Sequence, residues 1–216
     1  MTVRNSTAYK PLNQDKAKAN STKDLYQPSV CGIGYIGFGD FKATSGNQKT
    51  TLYSIWYSMI QRCYLKRPRY AHYADCTVCD EWHNFQNFAR WAVANGFQKG
   101  LNLDKDLLIK GNKIYSPKTC LFLPASLNTL LINCKKRRGQ LPVGVDYRPE
   151  RGKYRARLNK NKKLVCVGYF KTPIEAFNAY KEAKESHIRC LAEKWKNSIS
   201  NEAYLALINW DIDISD

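Results

Sequence analysis

The sequence predicts an α+β fold assembled from two unlike parts, and three observations predict it. Large apolar residues recur at helical spacing over 51–65 and 81–95, residues 103–128 read as strand, loop, strand and helix, and residues 141–195 read as three short strands followed by a long helix. The chain divides accordingly. A flexible basic tail is expected over 1–28, a helical and ββα domain over 29–134, a basic linker over 135–140, a sheet-and-helix domain over 141–195, and a C-terminal helix with an acidic tail over 196–216.

The chain has 216 residues, 44% of them apolar, enough for one or two domains with real cores. Its net charge is +17, and the excess is concentrated: residues 135–192 hold 16 Lys and Arg against 5 Asp and Glu. A patch of that kind implies a polyanionic partner. Nucleic acid is favoured over a membrane, because no apolar run approaches the ~20 residues of a spanning helix. The first residues, MTVRNSTAYK, lack the apolar region of a secretory signal, so a cytosolic protein with reduced cysteines is expected. Nothing in the sequence specifies an oligomeric state, and a monomer is the simpler expectation.

Taken in order, residues 1–28 are polar and without periodicity. The stretch CGIGYIGFGDF (31–41) is not followed by a Gly-Lys-Ser/Thr ending, so it reads as an extended segment on the core rather than a phosphate loop. Leu52, Trp56, Met59, Ile60 and Cys63 line one side of a first helix, and Trp82, Phe85, Phe88, Ala89 and Trp91 one side of a second. Both aromatic stripes are expected to fill a core. Cys76 and Cys79 stand in a Cys-x-x-Cys pair between these helices; with Cys63 and Cys120 they form either a structural Zn²⁺ site or a set of buried thiols.

In the ββα segment, Leu107-Leu108-Ile109 and Cys120-Leu121-Phe122-Leu123 are the expected strands, and Asn128 lies in the helix. Alternation along the first strand points Asp104 and Asp106 to one face, with Asn128 able to fold back onto it. Two carboxylates and an amide are hard oxygen donors suited to Mg²⁺ or Mn²⁺. Lys135 to Arg138 then form a basic stretch able to grip phosphates, with Arg137 and Arg138 as DNA-binding candidates.

Beyond it, the strands are expected at 142–148, 153–159 and 163–170. In the second, Tyr154, Ala156 and Leu158 alternate with Lys153, Arg155 and Arg157, giving one apolar and one basic face. Thr172, Pro173 and Glu175 match a capping box that opens a helix running to about Trp195.

The residues Gly144-Val145, Lys153-Tyr154-Arg155-Ala156, Val167-Gly168-Tyr169-Phe170-Lys171-Thr172 and Glu175-Ala176-Phe177-Asn178-Ala179-Tyr180 closely resemble the AP2 DNA-binding domain. That resemblance implies a three-stranded antiparallel sheet packed on a helix. It also implies DNA contacts from Arg148, Lys153, Arg155 and Arg157, with Lys162 and Lys163 on or near phosphates. Cys166 replaces an aromatic found there in plant domains, so base preference is not carried over.

The central region carries Trp56-x-x-Met59-x-x-Arg62-Cys63-Tyr64, Val78-Cys79-x-Glu81-Trp82-x-x-Phe85-x-x-Phe88, Leu103-Asp104-Lys105-Asp106 and Tyr115-Ser116-Pro117-x-x-Cys120. It is similar to phage-encoded HNH-type homing endonucleases, many of which carry an appended AP2 domain. The resemblance implies a ββα-metal, His-Me finger-like unit and a Mg²⁺-dependent DNA endonuclease, located in a bacterial cytosol if phage-encoded. By that mapping Asp104 and Asn128 are metal ligands. Lys105 stands at the position of the general-base histidine, where a cation is suited to stabilising a phosphate rather than to taking a proton. Asp106 is a second carboxylate candidate, and His72 or His83 a base brought from another element, His83 being the one included in the catalytic set. The alternative is a non-catalytic DNA-binding protein with a degenerate HNH unit, and an RNA-processing nuclease is a third reading.

Overall fold

The computed structural model describes residues 25–131, 140–160 and 163–216. The expected tail residues 1–24, much of the basic linker with Arg137 and Arg138, and Lys162 lie outside them. The molecule is mixed α+β with small sheets. In chain order the elements are β1 (Thr44–Ser45), β2 (Gln48–Lys49), α1 (Thr51–Tyr64), β3 (Thr77–Val78), α2 (Phe85–Ala94), β4 (Leu101–Asp104), β5 (Ile114–Tyr115), β6 (Leu121–Pro124), α3 (Ala125–Leu131), β7 (Val145–Arg148), β8 (Lys153–Lys160), β9 (Lys163–Phe170), α4 (Pro173–Trp195) and α5 (Asn201–Ile208). Two compact units result. One holds the described residues up to Ala94 and Lys113–Pro117; the other holds those of Asn95–Asn112 and Lys118–Asp216.

In the first unit α1 begins where Thr50, in extended conformation, accepts the Tyr53 N–H at 3.3 Å through its hydroxyl. The second helix starts later than its apolar pattern suggests. Asp80–His83 form a 3-10 turn, and Asn84 Oδ1 accepts the Gln86 N–H at 2.9 Å, so the regular helix opens only at Phe85. Trp56, Trp82, Phe85 and Phe88 are fully buried, with the Trp56 indole N–H donating to the Trp82 carbonyl at 2.7 Å. The glycine-bearing stretch packs on this core: Gly34 lies flat against the Trp56 ring, and the buried Gln86 amide bonds both the N–H and the carbonyl of Phe41.

The second unit is arranged along α4, which at 23 residues is about 34 Å long. Its capping box forms as the Thr172-Pro173-Glu175 pattern predicts. The first half of α4 presents Ala176, Phe177 and Tyr180 to Val145, Ala156 and Leu158 of the three-stranded antiparallel sheet β7-β8-β9. Its second half presents Ile188 and Ala192 to Leu121, Leu123 and Leu127 of the β4–β6 hairpin and α3, and to Ala203 and Leu207 of α5. The chain after α5 returns to the sheet side, where Ile212 is buried in that core and Asp211 meets Lys181 Nζ at 2.6 Å.

Two strand expectations are corrected. The first strand of the ββα segment is Leu101–Asp104, paired antiparallel with Leu121–Pro124, and the apolar run 107–109 lies beyond it in a loop whose Leu107 turns into the core. The first strand of the sheet starts at Val145, three residues later than expected. Gly144 has φ of 76°, a left-handed conformation, and a Cβ there would stand 2.1 Å from the Tyr180 ring, so the chain turns at this point and cannot continue a strand backwards.

Candidate functional site

The outward face of β7 and β8 gathers charge around a single carboxylate. Val145 pairs with Ala156 on the core face, which sets Asp146 opposite Arg155 and Arg148 opposite Lys153 on the other. Asp146 Oδ1 and Oδ2 receive the Arg155 fork, Nε at 3.1 Å and Nη2 at 2.9 Å. Arg157 Nε lies 3.0 Å from Oδ1 and Arg148 Nε 2.9 Å from Oδ2, both in ion-pair range, the Arg148 contact being without hydrogen-bond geometry. A register shift between Ala156 and Arg157 turns the strand at this point. Three guanidiniums against one carboxylate leave a local charge of +2 on a half-exposed surface.

The third strand completes the face. Tyr169 is opposite Arg155 and Cys166 opposite Arg157, and the Arg151 guanidinium sits over the Tyr169 ring at 4.4 Å. Lys153, which opens the central strand β8, and Lys163, which opens β9, are exposed at opposite ends of the sheet. The structure therefore brings together Arg148, Lys153, Arg155 and Arg157, four residues expected to meet DNA. Asp146, Arg151 and Tyr169 belong to the same surface and were not singled out from the sequence. The alternation Val145-Asp146-Tyr147-Arg148 carried the signal for Asp146, but its pairing with Arg155 depends on register, which alternation does not reveal.

The ββα segment is arranged differently. Asp104 ends β4, is 7% exposed, and its Oδ1 accepts the N–H of Leu107 at 2.7 Å and of Asp106 at 3.0 Å. It closes the turn that leaves the strand. Burial pushes its carboxyl above the ordinary carboxylate range, opposed by the Leu107 N–H. Asp104 and Asp106 do not alternate on a strand face, contrary to the expectation, because the strand has ended.

Lys105 is buried at 6% exposure, and its ammonium donates to Asp106 Oδ1 at 2.7 Å and to the Asn112 carbonyl. The Asn112 side-chain amide returns a bond to the Lys105 carbonyl at 2.9 Å. Loop 105–112 is thus tied across its base by two reciprocal bonds, with Lys105 acting as a donor in a backbone knot. Asn128 is half-buried on α3, which lies against both β4 and β6. The Asp104 oxygen that closes the turn, Oδ1, accepts two N–H donors. Among the described residues no group of three or more His, Cys, Asp or Glu side chains is placed to hold a metal ion.

His83 belongs to the first unit. Its Nε2 lies 3.1 Å from the Val78 carbonyl and 3.4 Å from the Tyr64 hydroxyl, and Nδ1 lies 3.8 Å from Asp80 Oδ1. Tyr64 joins the group by accepting the Val78 N–H at 3.0 Å. Of the four cysteines, Cys63, Cys76 and Cys79 fall in the first unit and Cys120 in the second. Cys76 and Cys120 are buried, and burial pushes the Cys79 thiol above its ordinary value, favouring the protonated form.

No family model matches the chain, and neither the curated proteins nor the solved structures contain a match to it.

Proposed function

We propose that the chain binds double-stranded DNA and reads it with the outward face of β7, β8 and β9. The observation that carries this reading is the set of three guanidiniums, from Arg148, Arg155 and Arg157, gathered at about 3 Å around Asp146. A narrow antiparallel ribbon fits the major groove, which is about 12 Å wide, and guanidiniums held in a defined plane suit bidentate contact with guanine edges. Lys153 and Lys163 at the margins suit phosphates, which position a protein without specifying sequence. The AP2 resemblance of 144–183 points the same way. No helix among the described residues is long and apolar enough to cross a membrane.

Selection from a pool of random duplexes, followed by titration of the enriched and a scrambled duplex, tests the reading. Enrichment of one sequence with a preference of about tenfold or more is expected. Equal affinity for all duplexes, or stronger binding to single-stranded RNA, would overturn it.

In the ββα segment we favour a scaffold role, the non-catalytic reading, because Asp104 and Lys105 are both engaged with backbone groups. A second reading, a Mg²⁺- or Mn²⁺-dependent endonuclease acting on phosphodiester bonds, is favoured by one observation: an antiparallel hairpin whose first strand ends in Asp104 is followed by a helix bearing Asn128, the order that the HNH resemblance assigns to metal ligands. Supercoiled DNA incubated with each metal separates the two. Intact plasmid with retained binding supports the scaffold; nicking abolished by Asp104→Ala and Asn128→Ala supports the nuclease.

A further inference from the structure

We infer that Asp146 is a positioning residue that sets the sequence discrimination of the arginine face, holding three guanidiniums in base-reading poses at a cost in general affinity for nucleic acid. The inference rests on the DNA-reading proposal above and adds a role for a residue of opposite sign to the ligand.

A carboxylate on a surface meant for DNA is unfavourable by itself, because it repels the phosphates that supply most non-specific binding. Asp146 stands on the edge strand β7, yet its side chain is only 26% exposed, because Arg148, Arg155 and Arg157 all reach it at 2.9 to 3.0 Å. Arg155, the most buried of the three at 15% exposure, meets it through a two-pronged fork. An arginine side chain has several rotatable bonds, and fixing them costs conformational entropy. An arginine already fixed in the free protein loses less of that entropy on binding, and it is directed along one line instead of sweeping toward any nearby phosphate.

The donor inventory leaves room for DNA. Three guanidiniums supply roughly fifteen N–H donors against about four acceptor positions on one carboxylate, so most donors remain for an incoming base edge. Asp146 is therefore not a competitor to be displaced. It stays in place beneath the guanidiniums while their outer donors meet the ligand. The neighbours support this geometry: Tyr169, opposite Arg155 on β9, has its ring covered by Arg151, which closes one flank of the cluster.

The isosteric change Asp146→Asn removes the negative charge and leaves the shape. Full-length wild type, Asp146→Asn and Asp146→Glu are titrated with the duplex enriched by wild type and with a scrambled duplex, across a salt series. For Asp146→Asn the expected result is tighter binding to the scrambled duplex, a log–log salt slope steeper by about one, and a fall of about tenfold or more in the preference for the enriched duplex. Asp146→Glu keeps the charge on a longer stem and should retain an intermediate preference, which separates positioning from a general loss of structure. Unchanged preference in Asp146→Asn, with wild type discriminating, would overturn the role of Asp146 and leave the DNA reading standing. Wild type that fails to discriminate would overturn both. If Asp146→Asn does not fold, Asp146→Ser, which also removes the charge, takes its place, and a preference equal to wild type then contradicts the inference.

Discussion

The sheet face and the ββα segment belong to the same unit and share the spine α4, yet they use charge in opposite ways. On the sheet, one carboxylate organises three guanidiniums that remain partly exposed with donors to spare. In the ββα segment, Asp104 and Lys105 are turned inward and bound to the backbone, at 7% and 6% exposure. Residue type alone would make either region a functional site. What separates them is where the hydrogen-bonding capacity goes: toward solvent in one, into the chain's own turns in the other.

The strongest way to break this contrast is Lys105→Met. It leaves the Asn112 carbonyl without the ammonium and removes an ion pair to the half-exposed Asp106, so a loss of about 2–3 kcal/mol in chemical denaturation is expected. DNA affinity below the melting transition should not change. On the sheet, Arg155→Ala should do the reverse, weakening specific binding by about 1–3 kcal/mol in duplex titrations. Arg155 is only partly exposed, so a modest loss of stability is expected beside it.

Asp104 sharpens the comparison through pH. Its folded pKa is raised by burial, so the folded carboxyl keeps its proton to higher pH than the unfolded one; its ionisation costs stability once the pH rises above the unfolded value. Asp104→Asn removes that cost while an amide oxygen still accepts the Leu107 and Asp106 N–H groups. Its stability at neutral pH should match or exceed wild type, whereas Asp104→Ala, losing both acceptors, should lose about 1–2 kcal/mol. Equal losses in the two variants would contradict the turn-closing role.

The smallest effect concerns Lys184 on α4, whose pKa is lowered to about 8 by burial. The unfolded chain holds this proton to higher pH than the folded one, so stability contributed here rises as pH increases from about 8 to about 10. Lys184→Met should gain about 1 kcal/mol at pH 7 and flatten that rise in thermal melts taken across the window.

The sheet, its helix and its capping box were legible because each rests on local pattern: alternation in Lys153 to Leu158, and Thr172 with Glu175 at fixed spacing. The candidate DNA face was half legible. Alternation placed Arg155 and Arg157 outward, but Asp146 reaches them only through strand register, a long-range property. In the ββα segment the type of each element was readable while the end of the first strand was not. Leu107-Leu108-Ile109 looks like a strand; the Asp104 side chain, by capturing two following N–H groups, ends the strand before that run begins. The sharing of α4 by hairpin and sheet was also hidden, because Ile188 and Ala192 read only as the far end of an amphipathic helix, with no indication of what covers them.

Whether the outward sheet face reads DNA is decided by fluorescence-anisotropy titration of the enriched and scrambled duplexes with wild type and with the triple variant Arg148→Ala, Arg155→Ala, Arg157→Ala. Wild type should prefer the enriched duplex by about tenfold or more, and the folded triple variant should bind both weakly and equally. A triple variant that keeps the wild-type affinity and preference would contradict this reading of the sheet face.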